Sequence, residues 1–181
     1  MTDAEARAVL DHWLAEIGPE RWWTRSDAGD AVIARHFRSL WDAERDRPAT
    51  SFLGSATLAF AAIILFDQYS RTMFRGDAPA FATDGLAQAI ARAMVARGLD
   101  REIEPAARVF VYMPFMHSEA LADQLWSLAL FEALGDGNSL DYARRHHAMI
   151  ARFGRFPHRN AALGRENRTG EEAAIAEGSS W

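Results

Sequence analysis

The chain has 181 residues, 49% of them hydrophobic, with a formal net charge of -5 and no cysteine. That length and apolar content suit a single domain, 1–181, with a core of its own, while the lack of cysteine excludes disulfides and thiolate metal sites. The acidic balance argues against nucleic acid as a partner, since such binding needs a basic footprint to displace counterions.

Charge is unevenly spread. Every basic residue is an arginine, the better cation for forked contacts with carboxylate or phosphate. Between Leu140 and Arg168 the arginines from Arg144 to Arg168 meet only Asp141 and Glu166, so this part is locally basic. The start, Met-Thr-Asp-Ala-Glu-Ala-Arg, is polar and acidic where a signal peptide is basic and then apolar, and a cytoplasmic location is expected.

In chain order, Thr2 and Glu5 form a capping box for a first helix to Ile17, with Val9, Leu10, Trp13 and Leu14 in one apolar stripe. Gly18 and Pro19 stop it, and a loop with Trp22 and Trp23 leads to a second helix, Asp27 to Glu44. Ala56 to Phe66 carries no charge and reads as a buried helix, too short for a membrane span of about 20 residues. Asp77-Ala78-Pro79 has the cap and early proline of a helix that ends at Gly98. The next begins near Pro105 and is kinked at Pro114.

Ser118 reads as the N-cap of a helix running through Leu121, Leu125, Leu128 and Phe131 to Gly135. Leu140 to Phe153 is a further helix, Thr169 and Glu172 suggest a last capped one, and Gly178 to Trp181 is a short tail. No run shows sustained β-branched alternation, so an all-α fold of antiparallel hairpins is expected.

Three polar clusters interrupt these apolar surroundings. Asp67, Gln68, Arg71 and Arg75 follow the buried helix at helical spacing. Two readings fit: an intrahelical ion pair, or guanidinium groups facing a ligand. His117-Ser118-Glu119 turns the corner after the Pro114 helix, either as capping residues or as an acid/base pair beside a helix N-terminus. Arg155-Phe156-Pro157-His158-Arg159-Asn160 alternates cations with Phe, either to grip phosphate or to fold back over the bundle. No metal site is expected. His146 and His147 are adjacent and point about 100° apart on a helix, and a site of His117, Glu119 and Asp123 is not favoured.

Taken together, these stretches resemble the bacterial family catalogued as Domain of Unknown Function 924. The resemblance is carried by Val9-Leu10-Asp11-His12-Trp13, Trp22-Trp23, Leu65 to Gly76, Met113 to Glu119, and Arg155 to Asn160 followed by Leu163-Gly164-Arg165. The family usually has Pro-Arg-Asn where Ser70-Arg71-Thr72 stands, and commonly an aromatic at His12. Losing that proline favours a continuous helix through Arg71. The resemblance implies a tetratricopeptide-like right-handed bundle of about seven to eight helices, and no settled activity.

The expectation is therefore a pocket where the three clusters converge on a small anionic ligand, a phosphate or carboxylate compound. Arg71, Arg75, Arg155 and Arg159 hold the anion, His117 and His158 exchange protons, and Asp67, Gln68, Glu119 and Asn160 orient them. Whether the site is catalytic is left open, with His117, His158 and Glu119 as the catalytic candidates. No cofactor and no membrane partner are expected. The competing reading is an interaction module gripping a protein partner, with the clusters as internal struts; RNA contact through the basic C-terminal part ranks below both.

Overall fold

The computed structural model describes residues 1–177. The capping box forms: Glu5 N–H donates to Thr2 Oγ1 (3.3 Å), and the Glu5 carboxylate accepts from Thr2 N–H (2.7 Å). It opens α1 (Asp3–Asp11), which widens into a π-helical segment, His12–Ile17. α2 spans Asp27–Glu44, burying Ile33, Phe37 and Trp41. α3 (Ala56–Ile63) passes through a second π-helical segment, Ile64–Tyr69, into α4 (Ser70–Met73), so the chain is helical through Arg71 as expected.

Side-chain donors explain how this second π segment is sustained. Ser70 Oγ and Thr83 Oγ1 both donate to the Phe66 carbonyl at 2.6 Å. Arg71 Nη1 donates to the Asp67 carbonyl (2.8 Å) and Thr72 Oγ1 to that of Gln68 (3.1 Å). Backbone acceptors in a buried helix with an altered ladder thus keep partners.

Four expected helix starts are corrected. Asp77-Ala78-Pro79 does not begin the next helix: Ala78–Phe81 is a short 3₁₀ turn, and α5 spans Asp84–Arg97. The break falls at Thr83, whose hydroxyl is drawn to the Phe66 carbonyl. α5 ends at Gly98, whose left-handed φ of 72° suits glycine. α6 (Pro105–Met116) contains Pro114, and α7 (Leu121–Leu134) is preceded by Ala120, not Ser118, as N-cap. Ser118 Oγ instead accepts from Ala120 N–H (3.1 Å) and donates to Asp123 Oδ2 (2.8 Å). α8 (Gly137–Phe153) starts three residues before Leu140, because Asp136 caps it. α9 (Glu171–Ala176) follows Gly170 without the Thr169–Glu172 box, since Glu171 is the acidic residue that turns inward. The tail from Gly178 lies outside the described residues.

Among the described residues the fold is all-α, with no strand. The chain divides into two compact units, Met1–Arg75 with Pro79–Pro114, and Gly76–Ala78 with the chain from Phe115 onward. In the first, α3 is central: Ala59 through Phe66 are at most 1% exposed, and α3 packs against α1 and α5. Burial on nearly all sides is why this run is apolar throughout. In the second, α7 and α8 pack as a hairpin, and α9 packs on a 3₁₀ turn, Pro157–Arg159.

Candidate functional site

The first cluster lies in the first unit. Asp67 is fully buried; Arg71 Nη1 meets its Oδ1 at 2.9 Å, and Gln68 Nε2 donates to its Oδ2 at 2.6 Å. Arg71 also donates to Asp84 at 3.0 Å, so one guanidinium joins two carboxylates. Burial works against its charge, but Asp67 and Asp84 outweigh that and hold its pKa above the usual value. Gln68 Nε2 further meets Met113 Sδ (3.4 Å). Arg75 donates through Nε and Nη2 to Asp30 Oδ2 (3.1 and 2.9 Å). Both arginines thus have carboxylate partners within their own unit.

The second and third clusters meet in the second unit. Glu119 Oε1 accepts from Phe156 N–H (2.8 Å), and its carboxylate takes the fork of Arg165 at 2.8 and 3.1 Å. Burial pushes Glu119 up, but the Arg165 fork and the Phe156 N–H hold it below the usual carboxylate range. Arg165 also donates to Asn160 Oδ1 and the Phe156 carbonyl, both at 2.9 Å.

Deeper in, Glu171 is fully buried and accepts Arg155 Nε and Nη2 at 2.8 and 2.7 Å. The Arg155 fork is the main reason its carboxyl is lowered to about 2. Asn160 Nδ2 and Arg168 N–H also donate to Glu171, at 2.9 and 2.8 Å. The Arg155–Asn160 segment is thereby fastened from two sides, by Glu119 before α7 and by Glu171 on α9.

What this fastening presents is a group of histidines. Arg159, 6% exposed, donates from Nη2 to the His117 carbonyl (2.9 Å) and lies 4.5 Å over the Phe156 ring. Rings of His146 and His158 each sit 5.5 Å from that of Phe156, and His117 is 6.0 Å from His146. His117 and His158 are half-buried, while His146 is 4% exposed. Its Nδ1 donates to the Tyr142 carbonyl (2.9 Å), which makes Nε2 the acceptor nitrogen of the neutral ring. Burial, helped by His117, pushes the His146 pKa down to about 3.

Sequence reading missed His146, Arg165, Gln124 and Glu171. In the sequence His146 stands out only as a metal-ligand candidate beside His147, and Glu171 stands next to the Glu172 that matches a capping pattern. Gln124 lies in the Leu-rich α7, whose buried side carries Asp123, Gln124 and Ser127 with Phe131, while Leu121 and Leu125 are 47% and 54% exposed. Among the described residues no group of three His, Asp or Glu is placed to hold a metal ion. A surface depression lined by Asp3, Ala6, Arg7, Ser55, Thr57 and Leu58 contains none of the candidate residues.

A family model described as "Bacterial protein of unknown function (DUF924)" matches residues 9–179. The solved structure of a protein of unknown function, ATU0120, from Agrobacterium tumefaciens is 36% identical, with a TM-score of 0.89 over 98% of this chain and 100% of that one. No curated protein matches. The chain belongs to the DUF924 family of bacterial proteins.

Proposed function

We propose that the second unit binds a small anion, a phosphate or carboxylate compound, at His117, His158 and Arg159, with His117 and His158 able to exchange protons with it. The observation that supports this reading is the packing of His146, His158 and the Arg159 guanidinium against one Phe156 ring, with His117 beside His146. In the surrounding network Arg165 forks onto Glu119 and Arg155 onto Glu171, while Arg159 donates to the His117 carbonyl. A buried guanidinium beside half-buried imidazoles favours a negatively charged guest. Glu119 keeps an orienting role here, because its oxygens are engaged by Phe156 N–H and Arg165.

Inorganic phosphate is the simplest probe. Titrated at constant ionic strength, it is expected to shift the His117 and His158 ring signals in NMR along a saturable curve, and His117→Asn or His158→Asn weakens that response. Shifts no larger than those given by chloride overturn the reading. A second reading, a surface that grips a protein partner, is favoured by the exposure of Leu121 and Leu125 one turn apart on α7. It leaves the histidine signals indifferent to phosphate.

A further inference from the structure

We infer that Gln124 is a positioning residue for His117, an inference that rests on the anion site proposed above. Gln124 is fully buried on α7, and its Nε2 donates to two carbonyls, those of Met116 (2.7 Å) and Ser118 (2.6 Å). These are the residues on either side of His117. The carbonyl of His117 itself accepts from Arg159 Nη2 (2.9 Å). Three consecutive carbonyls at the end of α6 are therefore held by side chains, and the backbone that aims the His117 ring is fixed at each of them. Helix-terminal carbonyls normally turn to water or to a local cap; here a buried amide and the guanidinium of the candidate site take that part.

The chemistry of the amide supports a role beyond stability. Only the NH₂ end of the amide can donate to two carbonyls, so its orientation is dictated. Its Oε1 is then left buried with no hydrogen-bond partner among the described residues, as is Ser127 Oγ one turn along. A buried acceptor left unmatched is destabilising. A side chain selected for stability alone has no reason to keep that penalty, whereas one that holds a functional group at a defined angle does. Gln124 also ties His117 to Arg159 mechanically, since both act on the same three-residue stretch.

The test compares wild type with Gln124→Met, which keeps the bulk and removes both donors, and with Gln124→Glu, whose carboxyl supplies at most one donor where the amide supplies two. Two readouts are taken below the melting temperature: the His117 ring signal without phosphate, and the affinity for inorganic phosphate. Gln124→Met is expected to displace the His117 signal while His12 and His36 stay in place, and to weaken phosphate binding about tenfold. Gln124→Glu falls between Gln124→Met and wild type. A residue with a merely structural role lowers the melting temperature and moves neither readout, and that result overturns the inference. Should Gln124→Met fail to fold, an unchanged His117 signal in Gln124→Glu overturns it equally. If wild type itself ignores phosphate, the binding reading fails, and the phosphate-free His117 signal still decides whether Gln124 positions the ring.

Discussion

The Asp67 cluster of the first unit and the His117 cluster of the second draw on the same kinds of residue and pair them differently. Around Arg71, two carboxylates share one guanidinium. Around Phe156, Arg165 forks onto Glu119 and Arg155 onto Glu171, Arg159 donates to the His117 carbonyl, and the rings of His146 and His158 pack against that of Phe156. An arginine beside a buried helix is thus a poor guide to an anion site until its partners are counted.

The struts give the largest effects. Glu171→Ala removes the acceptor shared by Arg155, Asn160 and the Arg168 N–H. It is expected to lower the melting temperature on the order of 10 °C in a thermal scan, with unit one least affected in hydrogen exchange. Arg71→Ala is next: it takes the guanidinium from a fully buried Asp67 and is expected to destabilise by about 3 kcal/mol in urea unfolding. Adding Asp67→Asn to Arg71→Ala recovers part of that loss, because the uncompensated charge is gone.

A smaller effect separates the histidines by pH. His146 is neutral in the folded protein with a pKa near 3, while an unfolded histidine titrates near 6.5. The unfolded state therefore binds the proton first, so the stability from keeping His146 neutral is complete above about pH 6.5 and is lost as pH falls towards 3. Between pH 7 and 5 wild type should lose about 2 kcal/mol more than His146→Gln in parallel denaturant titrations. Equal slopes for the two proteins would show that His146 is not sealed from water.

The sequence made the helices legible because most carry one apolar stripe or a clear stop, as with the Thr2 box and Gly98. It did not reveal the π segments. The run Ala56–Phe66 carries no charge to mark a change of register, and the donors that sustain it, Ser70 and Thr83, lie outside the run. The His117 and Arg155–Asn160 clusters were legible as interruptions of charge in apolar surroundings, and they do meet. Gln124 was hidden for the opposite reason. α7 has Leu or Ala on most sides, so periodicity could not tell that Asp123, Gln124 and Ser127 face inward while Leu121 and Leu125 face out. Glu171 and His146 were hidden because each has an identical neighbour, Glu172 and His147, and only packing distinguishes the two of a pair.

The central claim is that the imidazole cluster of the second unit receives a small anion. It is tested most directly by following all six histidine ring signals while inorganic phosphate is titrated at constant ionic strength. The account predicts saturable shifts at His117 and His158, with His12 and His36 still, and loss of the response in His117→Asn without a large fall in melting temperature. Uniform, unsaturable drift of every histidine signal would contradict it.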